Sequence, residues 1–160
     1  MSPFERLGGK GRRPNPVIFD SSFLMAVSDM PTTWREDITE AIGRFDPVLP
    51  DCVIEEMERL ASRRPSGSRL ARVALELGQK FDRVPCGGAR VDDEIASLAL
   101  EMGAKVATMD SQLAKSLKSL HVGVISLKSG RVFLDRGILK AGDSAPRGRG
   151  HEIRFKPAKD

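Results

Sequence analysis

Two acidic residues stand where strands of a sheet are predicted to end. Asp20 directly follows the apolar run PVIF, and Asp110 directly follows KVATM. In an open α/β sheet, ligands bind at the carboxyl ends of the strands, so a carboxylate there is well placed to contact a ligand. Because a helix is predicted after each of them, either residue could instead serve as the N-cap of that helix.

A third carboxylate, Asp92, is predicted to point inward from a helix. On a helical wheel it falls near the centre of an apolar arc, whereas Glu94, Ser97 and Glu101 fall on the opposite side. The arc consists of Ile95, Leu98, Ala99, Leu100 and Met102. A lone charge on such a face is costly, so Asp92 either caps the first turn of its helix or faces a cation.

Glutamates border the apolar arc of another predicted helix, the one that Asp51 opens. Glu56 lies at one edge of the arc and Glu58 at the other. The arc itself is formed by Val53, Ile54, Met57 and Leu60. Periodicity does not choose between the two glutamates, and either could equally be an exposed helix residue.

Carboxylates brought together in one pocket would need a cation to offset their repulsion. All-oxygen ligands favour Mg²⁺ or Mn²⁺ over zinc, and such ions commonly serve phosphoryl chemistry. A histidine-based mechanism is disfavoured, because His121 falls in a predicted turn and His151 in the tail. Cys52 and Cys86 are expected to be reduced, partly buried thiols, too few for a disulfide framework or a zinc site.

Basic residues cluster in three parts of the chain, whose formal net charge is +4. Candidate phosphate contacts are Arg12, Arg13, Arg63, Arg64, Arg69, Lys140, Arg147 and Arg149. They indicate either binding to a polyanion such as RNA or an ordinary solvated surface.

Predicted strands and helices alternate along the chain, which is typical of βαβ units and a parallel sheet. The folded domain is predicted over residues 16–135, after a flexible basic leader (1–15) and before a basic tail (136–160) that is expected to be disordered. Residues 63–68 (RRPSGS) are predicted to end one helix and to separate it from the next. Residues 131–134 are predicted to form a short additional strand. Neither a membrane-spanning run nor a secretory signal is recognised, so a cytoplasmic location without membrane partners is expected.

Several segments, taken in order, resemble the PIN-domain ribonucleases, and among them the small-subunit rRNA-processing PIN proteins of archaeal type. The segments are VIFDSSFL, PDCVIEEMERL, FDRVPC, VDDEIASLALEMGAKVATMDSQLAKSLK and VGVISL, within residues 16–130. The resemblance implies a three-layer α/β fold with a central parallel sheet of about five strands and helices on both faces. It also implies a metal-dependent endoribonuclease with an acidic pocket at the strand ends.

Matching the motifs assigns roles to individual residues. The resemblance implies that the catalytic residues and ligands of Mg²⁺ or Mn²⁺ are Asp20, Glu56, Asp92 and Asp110, with Asp93 as a candidate additional ligand. It implies that Ser21 and Thr108 orient these ligands. The family often has Asp-Thr-Asn after the first strand, whereas this chain has Asp20-Ser21-Ser22, so the orientation of the ligands is where a difference is expected.

The expected partners are RNA, above all precursor rRNA, then ribosome assembly factors, with a homodimer left open. One alternative is a VapC-like toxin, a PIN ribonuclease with the same carboxylates that an antitoxin silences. Another is a catalytically silent RNA-binding assembly factor. The last is a generic α/β domain in which the acidic residues only cap helices.

Overall fold

The computed structural model describes residues 15–29, 33–63 and 65–135, except for the side chains of residues 65–68. The leader, the tail and Arg64 therefore lie outside the described residues, together with the predictions made for them.

Six strands form one sheet in the order β3-β2-β1-β4-β5-β6. They are β1 (Pro16–Phe19), β2 (Asp46–Pro50), β3 (Asp82–Val84), β4 (Lys105–Ala107), β5 (Val124–Lys128) and β6 (Arg131–Asp135). β1 to β5 run parallel, as predicted, and β6 pairs antiparallel with β5. The predicted α/β fold is confirmed, and the short strand at residues 131–134 forms the sixth strand.

Six helices accompany the sheet in the described part of the chain. They are α1 (Ser21–Ser28), α2 (Trp34–Ile42), α3 (Asp51–Ala61), α4 (Pro65–Gly78), α5 (Val91–Met102) and α6 (Ser111–Ser119). Every residue of the central strand β1 is buried, so both faces of the sheet are covered at its centre. Phe19 at the end of β1 contacts the rings of Phe23, Trp34, Phe45 and Phe81, with centroids 5.0–6.3 Å away.

The predicted break at residues 63–68 is too long. α4 already begins at Pro65, because proline at the first position of a helix gives up an N–H that has no partner there. The buried face of α4 is formed by small residues. Ala71 and Ala74 are buried, whereas Val73 is 38% exposed.

Candidate active site

The ends of β1 and β4 bring the first two site residues together. Phe19 pairs with Ala107 in neighbouring strands, so the next residues, Asp20 and Thr108, meet at the carboxyl edge of the sheet. The Asp20 N–H donates to the carbonyl oxygen of Ala107 at 2.9 Å, and the Thr108 hydroxyl donates to Asp20 Oδ2 at 2.8 Å. Asp20 is only 5% exposed. Its side chain makes no capping hydrogen bond to α1, which argues against a merely capping role.

Ser22 is a site residue that the sequence analysis did not single out. Its hydroxyl donates to Asp20 Oδ2 at 2.5 Å, accepts the N–H of Met109 at 2.9 Å and lies 3.2 Å from the Thr108 hydroxyl oxygen. Ser22 stands where the family often has asparagine, and its hydroxyl still positions Asp20 through a hydrogen bond. A hydroxyl two residues after a strand-end aspartate was the available signal in the sequence.

Asp110 has one of the two roles that the sequence left open, that of a helix N-cap, and its second carboxylate oxygen stays a candidate ligand atom. Its Oδ1 accepts the N–H groups of Gln112 (2.9 Å) and Leu113 (3.2 Å), so it caps α6 as predicted. Its own N–H donates to the Thr108 hydroxyl at 3.0 Å. Oδ2 of Asp110 accepts no hydrogen bond from the described residues, so capping leaves one oxygen available to a ligand.

Glu56, and not Glu58, faces the other carboxylates. Glu58 is exposed, whereas Glu56 is half-buried and its Oε2 accepts the Ser21 hydroxyl at 3.0 Å. Burial raises the pKa of Glu56, the hydrogen bond from Ser21 opposes this, and the charges of Asp20 and Asp92 raise the pKa further. The predicted orienting roles of Ser21 and Thr108 thus correspond to hydrogen bonds that the structure shows.

Asp92 is half-buried in the first turn of α5, at the edge of the buried face. The helical wheel placed it near the centre of that face, which is wrong, because Leu100 of the predicted apolar arc is 54% exposed. Burial is the largest cause that raises its pKa, followed by the charges of Asp110 and Asp20. The neighbouring Asp93 also raises this pKa, although Asp93 itself is exposed.

The helical wheel placed Glu94 on the polar side of α5, and this prediction is wrong. It is 7% exposed, and its Oε1 accepts the N–H groups of Gly87 and Ala89, each at 2.9 Å. The loop that precedes α5 folds back over this side of the helix. Periodicity within the helix carries no information about a loop that covers it.

We refer to Asp20, Glu56, Asp92 and Asp110 together as the acidic site. Neither of the ion pairs seen among the described residues, Arg83–Asp51 and Lys118–Asp135, involves it. The all-oxygen donors and the raised pKa values fit a hard divalent cation. In the described ranges, however, no three acidic, histidine or cysteine side chains are grouped closely enough to hold one metal ion. The structure thus brings the carboxylates into mutual electrostatic range without a formed coordination shell.

The two cysteines form a disulfide, which corrects the expectation of reduced thiols. β2 and β3 are neighbours in which Pro50 pairs with Val84, so Cys52 and Cys86, two residues further on, face each other with their Cα atoms 5.9 Å apart. The bond joins α3, which carries Glu56, to the loop that leads to Asp92.

The larger of the described cavities is not at the acidic site. This cavity of about 600 Å³ is lined by Ala104, Lys105, Val122 and Gly123, at the amino ends of β4 and β5. Of the predicted RNA contacts, Arg63 and Arg69 are exposed. The remaining ones, Arg12, Arg13, Arg64, Lys140, Arg147 and Arg149, lie outside the described residues. Among the helices that are described, none is long and apolar enough to cross a membrane.

Comparison with known proteins links this geometry to one family. A family model described as a PIN like domain matches residues 17–130. The comparison with curated proteins gives no match.

The comparison with solved structures gives similar chains that include the following three, the first of which has a similar fold. The PIN domain endonuclease Utp24 is 23% identical and has a TM-score of 0.64, with 79% of this chain and 96% of that chain covered. A variant of the T5 5′-exonuclease is 16% identical, with 76% of this chain and 53% of that chain covered and a TM-score of 0.46. A protein from Pyrobaculum aerophilum is 15% identical, with 66% and 86% covered and a TM-score of 0.43.

Proposed function

This chain belongs to the family of PIN-like domains, and on that premise we propose that it is an endoribonuclease that hydrolyses RNA phosphodiester bonds at the acidic site. The observation that carries the proposal is the gathering of carboxylates from four separate parts of the chain. Burial raises the pKa of Glu56 and of Asp92, and neighbouring acidic residues raise both pKa values further. Such an arrangement is unfavourable unless a cation is bound.

Mg²⁺ or Mn²⁺ would be held by oxygens of Asp20, Glu56, Asp92 and Asp110, with Asp93 next to them. When bound, such an ion polarises the phosphate and makes a bound water more acidic. The chain's own contribution is to fix the ligands before the substrate arrives. Ser22 and Thr108 hold Asp20, Ser21 holds Glu56, and the first turn of α6 holds Asp110. Fixed ligands reduce the cost of reaching the reactive geometry.

Precursor small-subunit rRNA is the substrate that the motif resemblance supports best, with ribosome assembly factors as partners. The net charge of +4 agrees with a polyanionic substrate. The site geometry would serve a VapC-like toxin equally well, so the choice of substrate rests on the order of the sequence motifs.

The test is cleavage of precursor small-subunit rRNA and of an unstructured RNA by the full chain. We expect cleavage with Mg²⁺ or Mn²⁺, and loss of cleavage with excess chelator or in the Asp92→Asn variant. Glu101→Gln is the matched control, because Glu101 is an exposed acidic residue on the same helix. Cleavage that persists in excess chelator contradicts the mechanism. Retained RNA binding without any cleavage would instead favour a silent assembly factor.

A further inference from the structure

A groove of about 480 Å³ lies between α3 and the loop that joins β3 to α5. We call it the arginine groove, because its lining includes Arg59 from α3 and Arg90 from the loop. Both arginines lie on the same elements as residues of the acidic site or directly before them. Arg59 follows Glu56 by three residues on α3, and Arg90 precedes Asp92 by two.

The two arginines are not engaged by acidic partners. Both are exposed, and neither forms an ion pair with a carboxylate of the described residues. Residues three apart on a helix are neighbours, so Arg59 lies beside Glu56. Arg90 is the residue directly before α5, and Asp92 lies in the first turn of that helix.

The walls of the groove are fixed without a ligand. Cys52 and Cys86, which both line it, join α3 to the loop through their disulfide. Glu94, which is buried, holds the loop through two backbone N–H groups. Gly88 adds no side chain to the lining, and the space above it is open. A preformed groove avoids the entropic cost of ordering its walls when a ligand binds.

From these features we infer that the arginine groove binds the phosphate backbone of a single RNA strand next to the bond that is cut. The inference rests on the proposed function and assigns Arg59 and Arg90 as phosphate ligands. Two arginines and two acidic residues line the groove, and because Arg83 neutralises one of the acidic residues, Asp51, the groove remains net positive. Proteins generally bind single strands in a positively charged groove that follows the backbone. Arg63, which the sequence indicated instead, lies beyond the end of α3, whereas Arg59 lies within the helix, about 4.5 Å along its axis from Glu56.

Two acidic residues also line the groove. One of them allows a test in which RNA binding should tighten instead of weaken. Asp51 is neutralised by Arg83, whose Nε lies 3.0 Å from Asp51 Oδ1. Glu55 is exposed and has no ion-pair partner among the described residues, so its charge opposes a bound phosphate. Glu55→Gln should therefore tighten RNA binding.

The experiment measures binding of a fluorescent uridine oligoribonucleotide to the full chain by anisotropy, over a range of salt concentrations. All proteins carry Asp92→Asn, so that the RNA stays intact. The groove pair is Arg59→Gln with Arg90→Gln. The control pair, Arg44→Gln with Lys80→Gln, removes the same charge from exposed residues before β2 and β3, at the opposite edge of the sheet.

We expect the groove pair to raise the Kd roughly tenfold. It should also flatten the slope of log Kd against log salt by about 1.4, or about 0.7 for each phosphate that an arginine neutralises on a single strand. The control pair should have a much smaller effect, and Arg59→Lys should retain most of the binding because it keeps the charge. Equal effects of the two pairs, or an equal loss of duplex and single-stranded RNA binding, would overturn the inference.

A second measurement separates this inference from the proposed function. In the otherwise unchanged chain, the groove pair should raise KM for RNA cleavage more than it lowers kcat. Metal-dependent cleavage with an unchanged KM would reject the groove and leave the proposed function standing. If the groove pair weakens RNA binding but the unchanged chain cleaves no RNA, the proposed function is rejected and the inference about the groove is retained. Thermal unfolding of each variant checks that the fold is retained.

Discussion

At the scale of single residues, hydroxyl groups organise the acidic site. Ser21, Ser22 and Thr108 each donate a hydrogen bond to a carboxylate. Ser22 connects two elements, because its hydroxyl oxygen also accepts a hydrogen bond from the N–H of Met109. This bond joins α1 to the segment between β4 and α6. Short hydroxyl side chains thus set the positions of longer acidic ones.

Replacing Ser22 by alanine should lower cleavage by about tenfold or more, as loss of a residue that orients a metal ligand commonly does. The free energy of unfolding should fall by only about 1 kcal/mol, because water can replace part of the missing hydrogen bonds. Ser28→Ala is the control, since Ser28 lies on the same helix and bonds only to the Leu24 carbonyl. Rates and urea unfolding measure the two effects. Unchanged cleavage would mean that Thr108 alone suffices to hold Asp20.

The raised pKa of Asp92 makes stability depend on pH in a defined direction. Burial and the charges of Asp110 and Asp20 raise the folded-state pKa above that of the unfolded chain. The contribution of this group to stability is therefore fully present below the unfolded pKa and is lost as pH rises through the folded pKa. Glu56 acts in the same direction. At neutral pH, both ionised groups destabilise the metal-free protein.

Asp92→Asn should raise the Tm of the metal-free protein by a few degrees at neutral pH, because it removes a buried repulsion. The gain should disappear near about pH 3, where Asp92 of the unchanged chain is protonated and therefore as uncharged as the asparagine. Thermal unfolding in chelator at several pH values measures this, with Glu101→Gln as control. A Tm gain that does not change with pH would show that the charge of Asp92 is not the cause. Added Mn²⁺ should stabilise the unchanged chain more than the variant.

At the scale of the elements, the register between strands decides which residues meet. The pairing of Phe19 with Ala107 brings Asp20 to Thr108, and the pairing of Pro50 with Val84 brings Cys52 to Cys86. The disulfide then couples α3 to the loop before α5. The positions of Glu56 and Asp92 relative to each other thus depend partly on this bond.

Reduction of the disulfide should lower the free energy of unfolding by about 2–4 kcal/mol, as expected for a bond that closes a loop of this length. It should also weaken cleavage, because α3 and the loop are then free to separate. Denaturant unfolding with and without a thiol-free reductant measures the change. The variant with both Cys52→Ser and Cys86→Ser is the control and should not respond to the reductant. A reductant effect of the same size in that control would assign it to another cause.

At the scale of the whole molecule, an acidic site lies in a chain whose net charge is positive. Under the proposed function, positive charge elsewhere attracts the RNA, and a cation bound at the acidic site offsets its repulsion of phosphate. Residues 140–160 carry six basic and three acidic residues, and they lie outside the described structure. This excess of positive charge favours contact with a phosphate backbone.

Removing residues 137–160 should raise the Kd for RNA and flatten its dependence on salt, by about 0.7 in slope for each phosphate that the tail neutralises. Cleavage at saturating RNA should change little, since every residue of the acidic site precedes the tail. Salt titrations of the full chain and of a chain that ends at Arg136 compare the two. Identical slopes would show that the tail does not touch phosphate. In that case, residues 151–156 (HEIRFK) become a candidate binding segment for a protein partner.

The sequence by itself determined the parallel α/β architecture. Its alternating apolar strands and amphipathic helices report whether each position faces the core, and this is a local property. The same local pattern placed Asp20 and Asp110 after strands and turned Asp92 inward. The choice of Glu56 over Glu58 came from the motif resemblance, since both lie at edges of one helical face.

Only the tertiary structure decided which distant residues meet. The Cys52–Cys86 bond, the burial of Glu94 beneath a loop and the bonds of Ser22 all join residues from different elements. Each depends on strand order or on a loop crossing a helix, and periodicity within one element contains neither. The arginine groove likewise exists because β2 and β3 are neighbours, which sets α3 beside the loop that carries Arg90.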